Sequence, residues 1–574
     1  MARIRSYLIA AAAASVGMIA SMSGAEARGP AGPTKDHHCR GHHCSRGQWL
    51  AGDFHQHTYY TDGSTAFDFV MERNYEYGLD WWFNSEHGGG RNRDGQGNNW
   101  DNTDVYPTNP ILGDVASSGG HQVMWRWQSL AEFVFPDILT ARSTYPDQLI
   151  GSGLEWNVPG HEHCSTGIVA FDASAISAFE YMFDASDDDT SREGEVTPYG
   201  TLTKQNGSRY EWVDGSKVET GLSREDAHLD AVAACAWMQD MLDQRLIDNG
   251  HIVFAHIERK GDFSTGGYNI EHFRDFNNAG PDACFGFEGT PGHQVNGSRG
   301  GFGSGAFGGT YGGAGYYTAT LGGLWDALLG EGRHWFNFAS SDYHSHWTAG
   351  GDDFYPGEYQ KDYVYAKSSH HHRKISLDSI VDGLRSGKSF YVMGDLIDAL
   401  DFTVASDDDE VGMGEDLVLE GGKCHKGRKG HKKHPVTITI EFHSPDVNHN
   451  GDVPQVDHID LIAGDITGIV SPDSPDYTRA TNESTRVLER FTADDWRVKR
   501  DGTIVIKYQI RDLEQSTYFR LRGSNLPVGT PFELDDDGNP LADSLATDNL
   551  GLDGAEEAYA DLWFYSNPIF VHVR

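Results

Sequence analysis

Histidines and carboxylates recur in this sequence at the ends of short apolar runs. The segment Asp53-Phe54-His55-Gln56-His57 places two imidazoles two residues apart. On an extended chain that spacing puts both on one face, where they can chelate one divalent ion. Asp62 follows in Thr61-Asp62-Gly63. Phe83-Asn84-Ser85-Glu86-His87 ends a second run in a polar pair, and Gly153-Leu154-Glu155-Trp156 carries a carboxylate. Gly160-His161-Glu162-His163 comes next, Ile252-Val253-Phe254-Ala255-His256 ends in a histidine, and Ala339-Ser340-Ser341-Asp342-Tyr343-His344 ends in two ligand types. One such residue after a strand is ordinarily a satisfied structural group. At least five strand ends finishing in His, Asp or Glu are costly to bury together unless metal ions compensate them. A water held between two divalent ions becomes a nucleophile near neutral pH, so the implied chemistry is hydrolysis. Glu86, Asp342 and a histidine outside the ligand set, His346, are candidates to relay protons. Arg259 and Lys260, shortly after His256, are candidates to grip an anionic group, with an exposed basic turn as the alternative.

These residues need strands to carry them. From residue 49 to about 400, apolar runs at Trp49–His57, Leu79–Ser85, Leu149–Trp156, Gly167–Phe171, His251–Ile257, Ala283–Glu288 and Trp335–Ser340 read as strands. Amphipathic segments at Thr65–Tyr77, Trp125–Thr140, Arg224–Asn249 and Ile375–Ser386 read as helices. The alternation predicts an α/β domain with a largely parallel sheet, closed as a barrel whose site lies at the carboxyl ends of the strands. After residue 401, Val436–Phe442, His458–Ala463, Thr503–Ile510, Thr517–Arg522 and Ile569–Val573 are β-branched and alternating, which predicts an all-β, sandwich-like domain over 401–574. The Gly-rich run 297–315 reads as a surface loop, because no Lys-Ser/Thr of a P-loop follows it.

The order D-x-H-x-H…D-G…(D/E)-H…G-x-E…G-H…A-H…S-D-x-H over residues 49–400 resembles the PHP (polymerase and histidinol phosphatase) superfamily. Tyr518-Phe519-Arg520-Leu521-Arg522-Gly523 and Trp563-Phe564-Tyr565-Ser566-Asn567-Pro568-Ile569 more loosely resemble the β tail of exported, CehA-like hydrolases. The first resemblance implies a distorted (β/α)7 barrel with two or three divalent ions, zinc, manganese or iron. It implies that His55, His57, Glu155 and Asp342 hold a first ion. Glu155 bridges to a second, held also by His256 and by His161 or His163. Asp62, His87 and His344 hold a third. His161 is the preferred of the two histidines, because the family motif has glycine directly before the ligand. Asp53 is expected to orient a histidine. The chain departs from the pattern at Glu86, where Asp is usual, and at Ile257-Glu258, where proline is usual after the histidine. The implied activity is phosphoester hydrolysis on a small molecule. Amide, carbamate or carboxylic-ester hydrolysis on the same ions, and a non-catalytic binding module, are the alternatives.

The totals narrow the partners. The 574 residues exceed one ordinary core, and 45 basic against 85 acidic side chains give a net charge of -40. That surface repels phosphate backbones, which excludes nucleic acid as a partner. Arg3 and Arg5, an Ala-rich apolar stretch from Tyr7 to Met22 and Ala25-Glu26-Ala27 form the pattern of a signal peptide over residues 1–27. They predict a periplasmic or secreted protein with no membrane span in the mature chain. Residues 28–48 read as a disordered linker holding Cys39 and Cys44, two of six cysteines. Cys424–His434 is the one strongly basic block and reads as a solvated loop. Asp446, Asn448, Asn450 and Asp457 have the spacing of calcium-loop oxygens around Gly451, although an Asx-rich turn fits the flanking strands better.

Overall fold

A computed structural model describes residues 47–207, 210–213, 216–219, 222–300, 309–368, 374–407, 409–420, 433–544 and 551–574. The expected signal peptide, the linker up to residue 46, the centre of the Gly-rich run and most of the basic block lie outside these residues.

Seven strands carry the first part of the chain: β1 (Gly47–Asp53), β2 (Trp81–Asn84), β3 (Leu149–Asn157), β4 (His163–Val169), β5 (Asn249–Phe254), β6 (Cys284–Thr290) and β7 (Phe336–Ala339). They are neighbours in the order β7-β6-β5-β4-β3-β2-β1. The pairs β1–β2, β2–β3, β5–β6 and β6–β7 are parallel. β4 is antiparallel to both its neighbours, so the expected largely parallel sheet is interrupted there. The reason is the connection. Only Val158–Glu162 separate β3 from β4, too few for a helical crossover, so the chain doubles back as a hairpin. The two ends of this run meet just past β1 and β7, where Gln56 bridges Tyr343 in parallel and the His57 N–H donates to the Tyr343 carbonyl at 2.8 Å.

Helices α1 (Phe67–Glu76), α2 (Phe135–Thr144), α3 (Ser174–Phe183), α4 (Arg224–Asp243), α5 (Ile270–Ala279) and α6 (Leu377–Arg385) lie between or after these strands. Three correspond to expected helices. The expected Trp125–Thr140 helix is built of shorter pieces, with a π-helical turn at Leu130–Val134 leading into α2. α3 and α5 were not foreseen; α3 is buried on nearly every side and shows no polar stripe.

The sheet does not stop at residue 400. β8 (Gln360–Lys367) pairs with β1, β9 (Ser389–Met393) with β8, and the path continues through strands near the carboxyl terminus. Those are β12 (His458–Asp465), β13 (Arg486–Thr492), β15 (Thr517–Ser524) and β16 (Trp563–Ser566), with β17 (Ile569–Val573) paired to β15. One 15-stranded sheet therefore runs through both expected domains. β10 (Ala399–Ala405), β11 (Val436–His443) and β14 (Ile504–Ile510) belong to a separate five-stranded sheet. β11 buries every second residue, and its Ile438 and Ile440 share an apolar cluster with Leu461, Phe519 and Phe564 of the large sheet. The expected boundary at 400/401 falls inside β10. Among the described residues no helix is long and apolar enough to cross a membrane.

Buried ion pairs fasten the late strands to the early ones. Arg520 of β15 donates two bonds of 2.8 Å to Asp326, and both side chains are fully buried. Asn567 accepts from the Asn337 N–H of β7 at 2.8 Å and donates back to its carbonyl at 3.1 Å. Arg520→Ala strands the Asp326 carboxylate, so the unfolding free energy should fall by about 3–5 kcal/mol; an unchanged urea midpoint would contradict the pairing.

His251 of β5 is buried against Phe83, with ring centroids 4.8 Å apart at 87°, and burial, followed by Arg385, pulls its imidazole down to about 3. An unfolded chain takes up this proton below about 6.5 while the folded chain does not, so His251 costs stability progressively as pH falls through that range. His251→Leu should therefore gain about 2 kcal/mol relative to wild type between pH 7 and pH 5, read from urea unfolding at each pH. A pH-independent difference would show that His251 is not held neutral.

Candidate metal centre

The strand ends place nine of the ten expected metal-binding residues in one connected group. Glu155, on β3 and 1% exposed, is its hub. His163 Nδ1 lies 2.7 Å from Glu155 Oε1, and His256 Nε2 lies 2.9 Å from the same oxygen. His87 Nδ1 lies 2.8 Å and His57 Nε2 3.2 Å from Oε2. His163 opens β4 directly opposite Asn157 in the β3–β4 hairpin, His256 follows β5, and His57 and His87 follow β1 and β2.

His55 joins on the inner side. Its Nε2 lies 3.2 Å from His57 Nε2, 3.2 Å from Asp342 Oδ1 and 3.5 Å from Glu155 Oε1. At the outer side Asp62, half exposed, meets His87 Nε2 at 3.2 Å, His344 Nε2 at 3.5 Å and His57 Nδ1 at 3.6 Å. The His344 ring stacks on His57 with centroids 4.0 Å apart.

Two members were not expected from the sequence. Glu288, at the end of β6, holds His55 Nδ1 at 2.9 Å and accepts hydroxyls from Ser165 at 2.7 Å and Ser340 at 2.5 Å. Its hold on Nδ1 leaves the Nε2 lone pair of His55 facing the cluster, the tautomer that ligation requires. His293 places Nε2 3.2 Å from Asp342 Oδ2 and Nδ1 2.5 Å from Asp353. The signal for both was present, since β6 ends in Glu288-Gly289-Thr290-Pro291-Gly292-His293, another strand finishing in ligand types.

Several expectations are corrected. His161 does not face Glu155. Its Nδ1 lies 3.0 Å from the Gly267 carbonyl and its Nε2 3.0 Å from His228 Nδ1, so of the pair it is His163 that reaches the cluster. Asp53 meets His55 at its backbone. It accepts the His55 and Ser341 N–H groups and the Ser341 hydroxyl, and Glu288 orients His55 instead. Glu86 accepts the hydroxyls of Thr58 and Thr61 and so fixes the loop after His57. His346 stacks on Tyr355 and bonds Glu358 at 2.9 Å, outside the cluster. Arg259 and Lys260 both reach Glu162, at 2.5 and 2.9 Å, and the Arg259 guanidinium also lies 3.2 Å from His163 Nδ1 at the edge of the cluster. Asp342 remains in the cluster. In the calcium set, Asn448 Oδ1 accepts the Asp452 N–H, which is the Asx-turn reading, while Asn450 donates to Asp452 and Asp457 accepts the Val528 N–H.

The electrostatics match a site built for cations. Burial would draw the His55 imidazole down, yet the carboxylates of Glu288, Asp342 and Glu155 hold it well above its usual range. The same contest, won by Glu155 and Asp62, lifts His87 to about 9, and Asp342 with Asp353 lifts His293 to about 10. Burial and Arg259 press His256 down to about 4. Despite burial, the surrounding histidines keep Glu155 and Asp342 well below the carboxylate range. Glu155 Oε2 and Asp342 Oδ1 are sealed from solvent with no hydrogen-bond donor of normal geometry among the described residues. Ionised oxygens in that position are completed by a cation. Ligand atoms of His55, His57 and Glu155, of His55, His256 and Asp342, of His87, Glu155 and His163, and of His57, Asp62, His87 and His344 each lie within 4.8 Å of one another. The donors are imidazole and carboxylate, which suits zinc, manganese or iron.

The backbone is strained at the same place. His256, His293 and Asp342 have φ of 29°, 56° and 44°, three of seven non-glycine residues with positive φ among those described. Such conformations persist where surrounding structure over-determines them, commonly at functional sites.

No family model matches the chain, and no curated protein does. Among solved structures it is similar to a two-domain protein from Bacteroides vulgatus containing a predicted PHP-like metal-dependent phosphoesterase. The two are 12% identical with a TM-score of 0.32, over 88% of this chain and 96% of that one. A likeness that weak leaves the site to stand on its own geometry.

Glu288→Gln keeps the size of the group and removes the charge that orients His55. Metal affinity should fall about 10–100-fold in a calorimetric titration; unaltered affinity would show that Glu288 does not support the site.

Proposed function

We propose that this chain is an exported, metal-dependent phosphoesterase of the PHP type, its seven-strand run a distorted barrel with the metals at one rim. The observation that carries the reading is Glu155, a buried carboxylate met on both oxygens by imidazoles from four separate segments. A carboxylate placed so is suited to span two ions, with His163 and His256 on one oxygen and His57 and His87 on the other. The ordered sequence motif supports the same reading, and the signal-peptide pattern at residues 1–27 supports export.

Bound divalent ions supply an activated water and offset charge that develops on the substrate. The chain's own residues do the rest. Glu288 holds the His55 tautomer, and Asp353 with His293 holds Asp342, so neither ligand turns away during turnover. Asp62, His87 and His344 form the outer side, where Asp62 is half exposed and a substrate enters. His293, with Nε2 3.2 Å from Asp342 Oδ2, stands beside the site and is placed to relay a proton. Glu162 takes up both Arg259 and Lys260.

That last pairing favours one second reading. A dianionic phosphate group would have to compete with Glu162 for the two cations expected to grip it, whereas a neutral ester, amide or carbamate does not need them. Assays of the metal-loaded protein on an aryl phosphate, an aryl phosphodiester and an aryl carboxylic ester separate the two. The expected result is phosphate-ester cleavage that His55→Ala lowers at least about 100-fold. Cleavage of the carboxylic ester alone moves the assignment to the second reading. Full activity in His55→Ala places the chemistry elsewhere.

A further inference from the structure

A second group of histidines stands apart from the Glu155 cluster. His161 lies in the β3–β4 turn, His228 on α4 and His272 on α5, and one nitrogen from each ring lies within 4.8 Å of the other two. The ring centroids form a near-equilateral triangle of 5.1, 4.7 and 4.7 Å, with the planes inclined at 79°, 64° and 63°. Rings tilted in this way serve edge-to-face packing as well as shared ligation of a metal, so the nitrogen positions decide between the two.

The hydrogen bonds sharpen this. His161 directs Nδ1 at the Gly267 carbonyl at 3.0 Å, so that nitrogen carries the proton and Nε2 presents a lone pair. His228 directs Nε2 at the Asp275 carboxylate at 3.2 Å, so Nδ1 presents a lone pair. The two lone-pair nitrogens face each other at 3.0 Å. Two acceptors at that distance repel unless an electrophile lies between them, a proton or a metal ion. Two imidazole nitrogens on a tetrahedral zinc at ordinary bond lengths are about 3.3 Å apart. His272 commits Nδ1 to the Asn269 N–H at 3.0 Å, so it joins an ion through Nε2 only by giving up that bond.

The outer partners are also those of a metal site. A carboxylate on His228 and a backbone carbonyl on His161 fix the ligand tautomers, and Asp275 is itself held by the Tyr477 hydroxyl at 2.6 Å. All three rings are at least partly buried, while Asp275 reaches solvent and offers a route of entry. From this geometry we propose that His161, His228 and His272 bind a single zinc-like divalent transition metal, separate from the ions at Glu155. Its place in the fold gives it a purpose. His161 lies flat on Tyr268, with centroids 4.7 Å apart and planes 1° from parallel, and the Tyr268 hydroxyl donates to the carbonyls of Glu162 and His163. An ion here pins the turn that carries His163 into the Glu155 cluster and ties that turn to α4 and α5.

The test is zinc content of the full chain after stripping with a chelator and re-equilibration at micromolar free zinc. The expected result is one equivalent fewer in His228→Gln than in wild type. Asp275→Asn keeps all three rings and should bind that equivalent about 10–100-fold more weakly. In His55→Ala/His57→Ala, which disables the Glu155 cluster, one equivalent should persist and disappear on adding His228→Gln. Equal zinc content with and without His228, in either background, overturns the site. Loss of the Glu155-cluster zinc with this equivalent retained overturns nothing here, so the two sites fail separately.

Discussion

Glu155 is a carboxylate removed from water and surrounded by imidazoles, and that one placement constrains its neighbours. An ionised carboxyl at 1% exposure costs several kcal/mol unless opposite charge meets it. Four imidazole nitrogens stand at 2.7–3.2 Å from its two oxygens. Imidazole supplies compensating charge in one of two ways, by holding a proton or by sharing a cation. The surrounding design favours the cation. Glu288 directs the proton of His55 to Nδ1, away from the cluster, so the nitrogen facing Glu155 and Asp342 offers a lone pair. The same separation of inner ligand and outer support recurs at Asp342, which His293 and Asp353 hold in line.

The fold is arranged to satisfy that constraint. The β3–β4 hairpin sets His163 beside Glu155, a neighbour relation that a long crossover could not fix as tightly. The Gln56–Tyr343 bridge draws together the segments after β1 and β7, which brings His55, His57, Asp342 and His344 into reach of one another. Behind the site the late strands act as a brace. Asn567 saturates both backbone groups of Asn337 on β7, and Arg520 and Asp326 lock β15 to the helical segment that precedes β7. The carboxyl-terminal part is thus built into the sheet that carries the ligands.

Much of the site was legible because strand ends were. A run of apolar residues stopping in His, Asp or Glu gave His55, His57, His87, Glu155, His256, Asp342 and His344 without knowledge of the fold. Where the sequence misled, a boundary or a direction was at fault. β4 begins at His163, not at the expected Gly167, so the choice between His161 and His163 rested on a motif when the hairpin register decides it. Glu288 was read as the end of a strand but not as a member of the site, although the run from Glu288 to His293 finishes in ligand types as the other strand ends do. Arg259 and Lys260 lie near the ligands in sequence yet turn to Glu162, a pairing that spacing does not reveal. The expected break at residue 401 followed a real change of texture, but composition does not show that β8, β9 and β16 continue one sheet across it.

The claim on which all of this rests is that Glu155 meets metal ions. Diffraction from crystals of the zinc- or manganese-loaded chain, collected on both sides of the metal's absorption edge, addresses it directly. The account predicts anomalous peaks within about 2.0–2.2 Å of Glu155 oxygens, shared with nitrogens of His55, His57, His163 or His256. An ordered cluster with no anomalous peak at Glu155, its carboxylate bonded only to protonated imidazoles, would contradict it.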